Sequence, residues 1–176
     1  MKITISVLIT VMLMNLTSNA FGQKDAAEDP VIRILNRYED KEGAESITIS
    51  PALLGLMKNG KTNDKKTQDL ISKISGLRIL TLTDGNDGKG KVNRESIMSE
   101  LQPIIKKNFE EIMKVKSSGE RLELYIQKDS GCADCKRALL FITSADKSLT
   151  VLHLAGKIDK TLIDAVMNGE IGVSNK

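Results

Sequence analysis

Hydrophobic and polar positions alternate most regularly between Arg121 and Gly156. Leu122, Leu124 and Ile126 interleave with Arg121, Glu123, Tyr125 and Gln127, the period of two expected of a half-buried strand. Ala138 to Thr143 is a denser apolar run, as for a strand inside a sheet. Leu149 to Ala155 sets Val151 and His153 on one face and Leu152 and Leu154 on the other. Ser144 to Ser148 is short and polar, a hairpin signal, whereas Lys128 to Arg137 is longer and holds Gly131, Cys132 and Cys135. These runs predict a three-stranded antiparallel meander. Leu124, Ile126, Leu140, Ile142, Leu152 and Leu154 are expected to be mostly buried against helices.

Upstream the period changes. Asp29-Pro30 offers an N-cap oxygen and then Pro at the first helical position, and Val31, Ile34, Leu35 and Tyr38 follow at helical spacing. Ser46 to Ser50 alternates like a strand. Ser50-Pro51 repeats the helix start before an apolar run of Leu53, Leu54, Leu56 and Met57, closed by Asn59-Gly60. Asp64 or Thr67 caps a helix with Leu70, Ile71 and Ile74 inward, ending at Gly76, and Leu77 to Thr83 reads as the second strand. Asn93 caps a helix with Ile97, Met98 and Leu101 inward. Pro103 predicts a kink or break in it, and Ile104, Ile105, Phe109, Ile112 and Met113 extend the apolar face to Lys116. Asp159 caps a last helix with Leu162, Ile163, Val166 and Met167 inward. The order predicts an α+β fold, a five-stranded mixed, mostly antiparallel sheet with amphipathic helices packed mainly on one face. Its early strand–helix–strand units suit parallel pairing by right-handed crossover.

The N-terminal stretch stands apart. Lys2 precedes an apolar run from Ile3 to Leu16, and Ser18-Asn19-Ala20 or Ala20-Phe21-Gly22 fits a small-x-small cleavage site. Residues 1–22 therefore read as an export signal peptide, leaving residues 23–176 as a single α+β domain. No cysteine lies near the cleavage site, so the expected destination is the periplasm or beyond, not as a lipoprotein, and no later run has the length of a membrane span. The signal carries one of the 26 basic residues and none of the 23 acidic ones, so the remaining charge is near balance. That argues against nucleic acid, which selects a basic stripe. With no Trp, two Tyr and three Phe, stacking platforms for sugars or bases are also disfavoured.

Two stretches could carry chemistry. Cys132-Ala133-Asp134-Cys135 is a C-x-x-C. In an oxidising compartment it reads as a local disulfide or idle thiols. A redox site wants such a pair at a helix N-terminus, and here the flanks are strands. A metal site wants four ligands. The one other soft ligand, His153, would sit across from about Leu139, ~13 Å along the strands from Cys135. Asp84, Asn86 and Glu95 fall at positions 1, 3 and 12 of a calcium-loop register. Gly88 at position 5 has no side-chain oxygen, and Lys89 stands where the turn needs Gly, so a polar loop is the expectation. Glu110-Glu111 and Glu95/Glu100 pair in sequence only. No nucleophile elbow, phosphate loop or dinucleotide fingerprint occurs.

Several segments together resemble a known family. Tyr38-Glu39-Asp40-Lys41-Glu42-Gly43 precedes the first strand, and Gly76-Leu77-Arg78-Ile79-Leu80 enters the second. Phe109-Glu110-Glu111-Ile112-Met113 precedes the meander, and Leu154-Ala155-Gly156-Lys157-Ile158-Asp159 ends it. The chain so resembles domain-of-unknown-function family 4252, exported proteins of Bacteroidetes. The resemblance implies export and one small domain, and it brings no catalytic residues and no cofactor. The expected function is a non-catalytic exported module that binds another envelope protein or ligand. The alternative is a thiol-dependent redox or metal-handling protein using Cys132 and Cys135.

Overall fold

A computed structural model describes residues 29–59, 65–85, 89–128 and 137–168. Its elements are α1 (Pro30–Tyr38), β1 (Ala44–Ile49), α2 (Pro51–Asn59), α3 (Lys65–Lys73), β2 (Ile74–Thr83), α4 (Lys89–Asn108), β3 (Phe109–Ser117), β4 (Glu120–Gln127), β5 (Arg137–Ala145), β6 (Ser148–Gly156) and α5 (Lys160–Met167). The strands form one six-stranded sheet in the order β1-β2-β6-β5-β4-β3. Every neighbouring pair is antiparallel. The α+β class and the meander are as expected; the five strands and the parallel pairing are not.

The additional strand is β3, which lies where the helical pattern was extended to Lys116. Met113-Lys114-Val115-Lys116 does alternate, but the register shifts between Glu111 and Met113. Such a bulge inserts one residue and reverses the alternation. Phe109 and Glu111 therefore share a face with Tyr125, while Met113 and Val115 lie beside Leu124 and Leu122 on the other. No constant period of two spans the run, and its apolar residues also fit a helix.

The helix before it neither breaks at Pro103 nor starts at Asn93. Ile97, Leu101 and Ile105, spaced by four, lie buried in one cluster on both sides of the proline. Packing of that continuous stripe outweighs the one hydrogen bond that proline removes. Asn93, inside the helix, donates from Nδ2 to the Glu42 carbonyl at 3.3 Å. α3 also stops earlier than Gly76: Ile74 already belongs to β2.

Helices lie on both faces of the sheet, not mainly on one. On the first face, α1 (Val31, Ile34, Leu35) and α4 pack on Leu80, Leu82, Leu140, Ile142 and Val151. On the second, α2 (Leu54), α3 (Leu70) and α5 (Leu162, Val166) pack on Ile79, Leu124, Leu139, Leu152 and Leu154. β6 is apolar on both sides because it is covered on both sides, as a strand in a three-layer arrangement must be. Three of the predicted caps are present, whereas Asn93 caps nothing and Asp64 lies outside the described residues. The Asp29 carboxylate accepts from Val31 N–H at 2.8 Å, the Asp159 carboxylate from Leu162 N–H at 3.0 Å, and Ser50 Oγ from Leu53 N–H at 3.3 Å.

Candidate functional site

Among the described residues, the buried polar side chains are His153 and Glu123. His153, on β6, is 3% exposed in its side chain, and its Nε2 lies 3.3 Å from the Asp29 carboxylate at the start of α1. It sits opposite Leu140, one residue from the position expected. Burial pushes the Asp29 carboxyl up, but the adjacent His153 imidazole, with the N–H groups of Val31 and Ile32, outweighs it and holds the carboxyl below its usual value of 3.8. A carboxyl depressed in the folded state contributes stability above its unfolded pKa and loses it as pH falls through the lower folded value. Asp29→Asn retains a capping oxygen but not the charge. It is expected to destabilise the protein at neutral pH and to flatten the acid limb below about pH 4. Urea midpoints measured from pH 7 downward check this; parallel limbs in parent and variant would refute it.

Other charged side chains also hold elements together. Glu39, just after α1, pairs with Arg78 of β2. Arg94 of α4 donates to Asp84 from Nε at 2.7 Å and from Nη2 at 2.5 Å, and to the carbonyls of Ala145 and Asp146 at 3.2 and 3.0 Å. The first oxygen donor of the calcium-loop register is thus already occupied by a guanidinium. Asn86 lies outside the described residues. Glu123, 2% exposed on β4, lies 2.9 Å from Lys114 Nζ and 2.8 Å from Arg121 Nη2. Burial, with Glu123 adding to it, pushes the adjacent Tyr125 hydroxyl up to about 12. Among the described residues, no group of three or more His, Cys, Asp or Glu is arranged to hold a metal.

A shallow cleft of 510 Å³ opens between α1 and α4, lined by Arg37, Tyr38, Lys41, Asn93, Ser96 and Glu100. Glu100 accepts from the Tyr38 hydroxyl at 2.7 Å and pairs with Arg37, so its carboxylate is committed to joining the two helices. Lys128, at the end of β4, donates from Nζ to the carbonyls of Lys106 and Lys107 at 3.2 and 3.1 Å. These are end carbonyls of α4, where a cation is favoured. Cys132 and Cys135 follow in the connection to β5 and lie outside the described residues, as do the expected signal peptide and its cleavage site.

The surface is unusual at α2. Of the apolar run in this helix, Leu54 alone is buried; Leu53 is 45%, Leu56 71% and Met57 41% exposed. Spacings of three and four place these three on one outward stripe. Ile47 of neighbouring β1 is 51% exposed on the same sheet face. The signal was present in PALLGLMKN, which has no charged residue before Lys58 to mark a solvent side. A helix apolar nearly all round has something to cover on each side.

The fold defines an α+β protein built on one antiparallel six-stranded sheet between two helical layers. Its family follows from residues 38–166, which match the model described as "Domain of unknown function (DUF4252)"; the chain belongs to that family. Neither curated proteins nor solved structures give a match. Among the described residues, no helix is long and apolar enough to cross a membrane.

Proposed function

We propose that the protein is an exported, non-catalytic module that docks on the cell envelope through α2, with an anionic lipid surface as the component it contacts. The outward stripe of Leu53, Leu56 and Met57 carries this reading. α2 contains no carboxylate, and α3, packed beside it, begins with exposed Lys65 and Lys66. An apolar helical stripe next to lysines suits the boundary between acyl chains and anionic headgroups. The apolar run and cleavage signal of residues 1–22 support export.

Two measurements test the reading. N-terminal sequencing of protein from the envelope is expected to begin near Phe21 or Gln23; intact Met1 on cytoplasmic protein would sink the export half. For docking, the purified protein should co-sediment with phosphatidylglycerol-containing vesicles and much less with phosphatidylcholine alone. Leu56→Glu should weaken vesicle binding by about tenfold or more, because burial of one Leu side chain contributes ~1.5–3 kcal/mol. The urea midpoint should stay near the parent's, since Leu56 is already exposed. Undiminished binding by Leu56→Glu, or photocrosslinking at position 56 that captures a protein and no lipid, would overturn the lipid assignment.

A further inference from the structure

The sheet has two edges, and they are built differently. β3 is protected. It is bulged between Glu111 and Met113, and Lys114 and Lys116 are exposed on it. Bulges and lysines on an edge strand disfavour pairing with another strand. Past the bulge, a two-fold axis through Lys114, Val115 or Lys116 would set lysine opposite lysine, which is destabilising.

β1 has none of these devices. Its sequence AESITI holds no Lys, Arg or Pro, and its register against β2 is unbroken from Ala44 to Ile49. Ser46, Ile47 and Thr48 are all exposed, so both faces of the strand are open. An open edge of β-branched residues is a template for another strand. We infer that β1 is the interface of a homodimer, pairing antiparallel with β1 of a second copy across a two-fold axis at Ile47.

The register follows from side-chain parity. Directly opposed residues in an antiparallel pair share a face, so symmetric pairing places the axis on a residue. With the axis at Ile47, that side chain meets its own copy, Ser46 meets Thr48, and Glu45 meets Ile49. No like charges are opposed. Moving the axis to Ser46 would set the exposed Ile47 against Glu45, and moving it to Thr48 would set it against half-buried Ile49. The axis at Ile47 is the one that lays the most exposed apolar side chain of the strand on its own copy. Pairing in this way consumes the open edge of both copies, and the guarded β3 edges stop further growth, giving a closed isologous dimer. The axis is perpendicular to the sheet, so both α2 helices fall on the same side of the joined sheet. Two lipid-docking stripes would then act together. The dimer itself does not depend on the lipid assignment.

The test is carried out without lipid, so it reads the dimer and not the docking. Protein purified after export should sediment at twice the chain mass, and Ile47→Lys, which opposes two lysines at the axis, should halve that mass while leaving the monomer folded by circular dichroism. In a Cys132→Ser, Cys135→Ser background, Ile47→Cys should form a disulfide-linked dimer on oxidation. Cα atoms opposed in an antiparallel pair lie about 4.5–5.5 Å apart, within disulfide reach. Val115→Cys on β3, at a similarly exposed position, should form no disulfide-linked dimer on oxidation. A parent protein of single-chain mass, a dimer that survives Ile47→Lys, or crosslinking as efficient at position 115 as at 47 would overturn the inference.

Discussion

Leu154→Ala is expected to cost about 2–5 kcal/mol in urea unfolding, the range for removing a fully buried Leu from a close-packed core. Leu154 is 0% exposed and lies in the cluster formed with α3 and α5. In the sheet it is flanked by Leu77 on β2 and Leu139 on β5. Strands on both sides and helices above leave little freedom for neighbours to collapse into the space, which places the cost toward the upper end. A loss below about 1 kcal/mol would show that the second helical layer does not pack as described.

Gly43→Ala should cause a loss of similar size for a different reason. Gly43 has φ +77°, and a Cβ there would stand 2.3 Å from the Thr83 carbonyl oxygen. That contact cannot be widened without separating strands: Thr83 N–H donates to the Gly43 carbonyl at 2.8 Å as β1 begins. The left-handed conformation contributes about 1–2 kcal/mol and the forced backbone shift about 1–3 kcal/mol. Gly55→Ala is the control. Beyond its own turn of helix nothing lies within 4 Å of its Cβ position, and the residue is inside α2, so Ala should stabilise the helix by about 0.8–1 kcal/mol. The same substitution is thus expected to have opposite signs at two positions, readable from two urea midpoints. Losses at both would refute the account of α2.

Features that depend on near neighbours were legible in the sequence. The Asp29, Ser50 and Asp159 caps form bonds only two or three residues along the chain. The inward stripe of α1 and the three meander strands follow from backbone period alone. Where a local rule failed, a specific contact had intervened. The bulge hid β3, and packing on both sides of Pro103 carried α4 through. Of the candidate site, the residues of α2 were visible as an apolar run, but their direction was not. Leu53 and Leu54 are chemically alike; which of them is buried depends on what α3 and β2 place beside them.

The sequence by itself therefore determined the class of fold, most helix starts and the core strands, because caps, turns and periodicities act within a few residues. Tertiary structure alone decided that β2 lies beside β6, where Thr81 and Thr150 hydroxyls meet at 3.1 Å across 69 positions of chain. It also decided that helices cover both faces, that Asp84 holds a guanidinium, and that β1 is an edge strand of the sheet. These outcomes depend on pairings between distant segments. Several registers satisfy the local pattern equally, and only the joint packing of two clusters on opposite faces of one sheet selects among them.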